Sequence, residues 1–123
     1  MKPAEAREAA LRTLYQADQR RESPDTEELS ERAGGLVTGV WADRAGLDEA
    51  IGAVSSGWRV ERMPVIDRNI LRIALWELLN RPDIPVAVVI SEAVRLAKLY
   101  STERSGGFVN GVLSRLATER IDG

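Results

Sequence analysis

The segment "VIDRNILRIALWELLNR", residues 65–81, constrains the fold more than any other stretch of this chain. Placed on an α-helix, Ile66, Ile70, Leu71, Ile73, Ala74, Leu75, Leu78 and Leu79 cover well over half of the circumference. A helix on a protein surface needs only one apolar stripe, roughly 100° wide. So broad an apolar surface requires neighbours on several sides, which predicts a central helix inside a helical bundle.

The flanking segments supply candidates for those neighbours. Ala6, Ala10, Leu11, Leu14, Tyr15 and Ala17 form a stripe that predicts a helix over 3–21, with Pro3 tolerated in its first turn. Ser23-Pro24-Asp25 then opens a short polar helix that Gly34-Gly35 stops or bends, and an apolar piece follows over 36–41. Leu47, Ile51, Val54 and Trp58 fall at i, i+4, i+7 and i+11, one face of a further helix. "PDIP" at 82–85 is a turn, since each proline disfavours helix at the residue before it. Pro85 opens another helix, with Val89, Ala93, Leu96, Ala97 and Tyr100 as its buried stripe. Phe108, Val109, Val112, Leu113 and Leu116 mark a last helix over about 105–119. "VAVVI" is the only β-like run, and it leads directly into helical spacing. The expectation is an all-α fold of about six or seven helices. At 123 residues it forms one domain spanning 1–123, because two separate cores would each be marginal.

Two absences narrow the chemistry. With no Cys there is no disulfide, thiolate nucleophile or thiolate metal site. With no His the commonest general base and transition-metal ligand are missing, and Lys occurs only at 2 and 98. These absences disfavour an independent enzyme, and no metal or cofactor is expected. No run of about 18 apolar residues is present to span a membrane. The start "MKPAEAREAALRTLYQ" mixes Glu with Arg and lacks the apolar region of a signal peptide, so the cytoplasm is the expected compartment. The net charge of -2 does not exclude nucleic acid, because basic residues can cluster on one face. Arg is used far more than Lys, which suits bidentate phosphate contacts but also follows from GC-rich codons.

Gly106, Gly107 and Gly111 resemble a phosphate-binding loop only superficially, since no strand precedes them and no Gly-Lys-Ser/Thr ending follows. Two readings remain. Gly107 and Gly111, four apart, share a helix face and let a neighbouring backbone approach. Alternatively, Gly106-Gly107 leave a helix N-terminus uncluttered for an anion. Phe108 anchors the last helix in the core or stacks a base. Asp67-Arg68 reads as a surface charge pair, and Tyr15 as an aromatic at the core edge. Residue chemistry alone thus gives a helical bundle that binds something.

Four segments together identify a resemblance. "REAALRTLYQ" (7–16), "IDRNILRIALWEL" (66–78), "DIPVAVVISEAVRLAK" (83–98) and "FVNGVLSRL" (108–116) are similar, in order and spacing, to the NusB family of bacterial transcription antitermination factors. The middle follows more loosely through "GV" at 39–40, "LD" at 47–48 and Trp58 to Met63. The resemblance implies two small three-helix bundles packed as one RNA-binding domain, without catalysis. It implies single-stranded boxA RNA as ligand, chiefly in ribosomal RNA leaders, and the ribosomal protein NusE as partner. RNA polymerase would be engaged indirectly, and either a monomer or a homodimer is compatible. Carried onto this sequence, the RNA face comprises Lys2, Arg7 and Arg12, then Arg104, Ser105, Gly106, Gly107 and Phe108. The N-terminal cations are fewer than in the family and are spaced five apart, around the helix rather than along one face. Where the family often carries a basic residue before the Phe, this chain has Gly107, and Arg104 offers the charge from another position. For NusE the resemblance points to Tyr15 and Asp67. Two other readings stand beside this one. The first is the NusB-like module of an RNA cytosine methyltransferase, which would need a downstream α/β domain and a catalytic Cys that are not found up to Gly123. The second is a helical protein-interaction scaffold with little RNA binding.

Overall fold

A computed structural model describes residues 2–55 and 57–122, the side chains of 120–122 excepted. Its centre is the helix expected to be central, Val65–Asn80, here α3. Ile70, Leu71, Ile73, Ala74 and Leu75 are buried, and so are the polar Asp67, Asn69, Arg72 and Glu77. α3 packs against α1 (Pro3–Arg20), α2 (Glu31–Val54), α4 (Val86–Tyr100) and α5 (Glu103–Asp122). The chain is therefore two three-helix groups that share one member: α1, α2 and α3 on one side, α3, α4 and α5 on the other. α2 also touches α5, and one continuous apolar core draws on all five helices. No strand occurs among the described residues, so "VAVVI" is helical as its context suggested.

Among the described residues the helix count is five, plus the single 3-10 turn Val60–Arg62, rather than six or seven. Ser23-Pro24-Asp25 does not open a helix; residues 21–30 form turns, and α2 starts after Ser30, whose Oγ accepts from the Ala33 amide at 3.2 Å. Gly34-Gly35 then lie inside α2. Each glycine costs a helix only about 1 kcal/mol, less than α2 gains by burying Leu36, Val37, Val40, Leu47, Ile51 and Val54. Trp58 does not continue that stripe. α2 stops at Val54, Gly57 takes φ 82, and the indole is left 55% exposed. Tyr100, expected in the α4 stripe, is 44% exposed, with its hydroxyl donating to Glu8 at 3.2 Å.

Pro64 and Pro85 stand immediately before α3 and α4 and fix where those helices start. The turn between the two is held by Arg81 on Asp83, at 2.8 and 3.0 Å, and by the Ile84 amide on the Arg81 carbonyl. α5 begins at Glu103, so Gly106 and Gly107 belong to a helix and not to a loop. The glycines that permit close approach differ from the expected pair. Gly107 and Gly111 are exposed, with nothing near the place a Cβ would take. Gly106 instead lies beneath the Lys98 stem, where a Cβ would come within 3.1 Å, and Gly39 lies against the Trp76 indole.

Candidate nucleic-acid interface

The first turn of α5 is built by a reciprocal cap. The Ser105 amide donates to Thr102 Oγ1 at 3.3 Å, and the Thr102 amide donates to Ser105 Oγ at 3.4 Å. The Ser105 hydroxyl hydrogen goes to Asp67 Oδ2 at 2.9 Å, which ties the start of α5 to the start of α3. Asp67 is only 3% exposed, and its other oxygen, Oδ1, has no hydrogen-bond partner among the described residues. Above this linkage opens a cleft of about 350 Å³, lined by Trp58, Pro64, Asp67, Arg104, Ser105 and Phe108 among others. Trp58 and Phe108 meet edge to face, with ring centroids 6.1 Å apart. Arg104 is exposed and has no ion-pair partner among the described residues.

These groups offer aromatic surface for a base, a guanidinium for a phosphate, and a carboxylate oxygen for an N–H or O–H donor. The structure thus brings Arg104, Ser105 and Phe108 together. Gly106 and Gly107 turn away from the cleft into a groove between α4 and α5. Trp58 is the residue that sequence reasoning missed, because it was counted in a core stripe. The run Ser55-Ser56-Gly57 just before it was the available signal that the helix had ended.

The N-terminal cations divide. Lys2 and Arg12 are exposed, but Arg7 is 4% exposed, and the structure removes it from the RNA face. Its guanidinium makes two 2.8 Å bonds to Glu77 and a longer one, 3.4 Å, to Glu92. The hydrogen bond from Glu77 raises its already high pKa, against the opposing pull of burial. Arg12 stands one turn beyond Glu8, whose carboxylate meets Tyr100 and Arg95, so it faces the C-terminal end of α4. Tyr15 follows at i+3 on that same face of α1, half-buried, its hydroxyl accepting from Gln19. Asp67 is not a surface charge pair with Arg68 and does not share a cleft with Tyr15; it sits at the base of the Trp58–Phe108 cleft.

A second polar cluster fixes α3 against α1 and α2. Asp18 Oδ2 accepts from Arg68 at 2.9 Å, Asn69 at 2.9 Å and Arg72 at 3.0 Å, while Arg72 also grips Asp48 with two 2.7 Å bonds. Burial pushes the Asp18 carboxyl upward, but the hydrogen bonds from Arg68 and Asn69 and the two cationic charges outweigh it and hold its pKa below the usual value. Among the described residues no group of His, Cys, Asp and Glu is placed to hold a metal ion, and no helix is long and apolar enough to cross a membrane.

The model of the NusB family matches residues 4–118. The chain belongs to the NusB family. It is 47% identical to the transcription antitermination protein NusB of Sorangium cellulosum (strain So ce56), an alignment covering 94% of this chain and 93% of that one. Among solved structures it is similar to NusB of T. maritima, with TM-score 0.87 and 35% identity over 97% of this chain and 92% of the other. It is also similar to a chain in the crystal structure of antitermination factors NusB and NusE in complex with dsRNA. There the TM-score is 0.79 and the identity 28%, over 94% of this chain and 96% of that one. The likeness to solved NusB structures agrees with the all-helical arrangement described above.

Proposed function

We propose that this chain is a transcription antitermination factor that binds boxA-type single-stranded RNA together with NusE and so supports ribosomal RNA transcription. The whole chain acts as one RNA-binding unit, since its helices share one core. The observation that carries the reading is the cleft at the start of α5, where exposed Arg104 stands beside the Trp58–Phe108 pair. The likeness to a NusB chain solved with NusE and dsRNA supports NusE and an RNA as ligands. In this reading Arg104 contacts phosphate, Phe108 and Trp58 meet a base, and Lys2 and Arg12 add charge from α1. Tyr15 meets NusE, while Asp67, buried beneath the cleft, holds Ser105 in place at the start of α5. Catalysis has no part in the proposal. The loss of Arg7 from the RNA face leaves α1 with fewer cations, so RNA affinity depends on the α5 cleft and on NusE.

The test is a titration of boxA-like and scrambled RNA, with and without NusE, at two salt concentrations. The expected result is preference for the boxA-like RNA, a gain with NusE, and a log–log salt slope of roughly −0.7 per phosphate neutralised. Arg104→Glu weakens binding and flattens that slope; unchanged affinity and slope remove Arg104 from the site. NusE binding without any gain in RNA affinity favours the protein-interaction scaffold instead.

A further inference from the structure

On the other side of α5 from the Trp58–Phe108 cleft, α4 and α5 leave a groove of about 850 Å³. Val94, Arg95, Lys98, Gly106, Gly107 and Asn110 line it, and among the described residues no acidic one does. Four other clefts on the molecule each carry carboxylates: Asp48 and Glu49 in one, Glu22 and Glu28 in a second, Asp67 in a third, Glu119 in the fourth. On a chain of net charge -2, a sizeable groove with basic but no acidic walls selects for a polyanion.

The cation that matters is Lys98. Arg95 is already held by Glu92 at 2.8 Å and by Glu8 at 3.5 Å. Lys98 lays its stem across Gly106, and its ammonium has no ion-pair partner among the described residues. Gly106 makes room for that stem, while Gly107 exposes bare helix surface with open space around it. Gly107 therefore leaves a side-chain-free crossing between the Arg104 cleft and the groove, with the Lys98 stem over Gly106 at its edge. From Arg104 to Asn110 the helix rises about 9 Å, a short step for an extended strand.

We infer that RNA held at the Arg104–Phe108 cleft crosses α5 over Gly107 and continues into the α4–α5 groove, with Lys98 neutralising a phosphate and Asn110 contacting the strand. This rests on the function proposed above and lengthens its binding site. Ala87, Ile90 and Val94 give the groove an apolar stretch that would also suit a protein helix, but the one-signed charge at the Lys98 end and the open Gly107 between it and the cleft favour RNA.

The test uses the full chain with NusE, a minimal boxA-like RNA, and the same RNA extended by a few nucleotides at either end, read by fluorescence anisotropy. Lys98→Gln removes the charge and keeps the Cβ–Cγ part of the stem over Gly106. Asn110→Asp places a carboxylate on the groove wall. The expected result is that one extended RNA binds more tightly than the minimal RNA. Lys98→Gln then loses that gain, about tenfold, and its salt slope on the extended RNA shrinks by roughly 0.7. Asn110→Asp weakens the extended RNA in the same direction. Minimal RNA and NusE affinities stay at the wild-type value in both variants, and unchanged circular dichroism shows the fold intact. The inference is overturned if neither extension adds affinity, or if both variants bind the extended RNA as the wild type does. A loss of NusE affinity with RNA binding intact would instead make the groove a protein-docking site. Wild-type protein that binds no boxA-like RNA above the scrambled control overturns the proposed function as well, which separates the two failures.

Discussion

Replacing Arg7 with Met tests whether the N-terminal arginine serves the fold or the RNA. The Arg7 and Glu77 side chains are 5% and 4% exposed, and two 2.8 Å hydrogen bonds join them in parallel. Methionine fills most of the space but leaves the Glu77 carboxylate stranded between α1 and α3. Glu92 cannot compensate, since it is also a carboxylate and is already engaged by Arg95. Removing one partner of a buried ion pair costs about 3–5 kcal/mol, a large share of the roughly 5–15 kcal/mol that keeps a domain folded. With a urea dependence of about 2 kcal/mol per molar, the unfolding midpoint falls by roughly 2 M. Adding Glu77→Leu removes the stranded charge, and most of the lost stability returns in the double variant. Urea melts followed by circular dichroism measure all three proteins, and RNA titrations are run where each is folded. The expected RNA salt slope is the same in all of them. The reasoning is refuted if Arg7→Met melts within 1 kcal/mol of wild type while its slope shrinks by roughly 0.7, as loss of a phosphate contact would require.

Two other predictions concern packing and pH. Gly35→Ala, in open space on the exposed face of α2, raises stability by about 0.5–1 kcal/mol, whereas Gly39→Ala drives its methyl into the Trp76 indole and lowers it by about 1–3 kcal/mol. Thermal melts that shift the same way for both would show that Trp76 does not cover Gly39. Asp18 has a lowered folded-state pKa, so its contribution is complete above the ordinary aspartate range, near about 4, and is lost as pH falls through the folded value below that. The melting temperature of the wild type therefore drops more steeply below pH 4 than that of Asp18→Asn, and parallel curves would count against the cluster.

The sequence made α3 legible because burial on several sides leaves a signature that needs no knowledge of the neighbours. The proline starts of α3 and α4 were legible for the same local reason. Gly34-Gly35 misled because a helix-breaking preference of about 1 kcal/mol per residue is readily outweighed by distant packing, and the Ser30 cap lay downstream of Ser23-Pro24-Asp25, where the start was placed. Arg7 was misplaced although a signal existed. Arg7, Leu11, Leu14 and Asp18 fall at i, i+4, i+7 and i+11, and all four sit in or beside the interface with α3. A charged residue on a buried stripe reads as a buried partner before it reads as a surface contact. Asp67 lies at the head of the stripe through Ile70 and Ala74 and follows the same rule. No such rule distinguishes Gly106 from Gly107 and Gly111, because only the position of Lys98 on another helix decides which glycine is covered.

The polar side chains of α3 act together as the wards of a lock. Asp67 engages α5, Arg68 and Asn69 engage α1, Arg72 engages α1 and α2, and Glu77 engages α1. A slide of α3 by one turn, about 5.4 Å, would break every one of these bonds at once and leave their charges buried. Tyr15 on α1 and Arg104 at the start of α5 are thus set at a fixed distance before any ligand arrives. In the proposed function, NusE at the first and RNA at the second would reinforce each other across a rigid frame, as two weights on one beam, with no helix ratcheting between them.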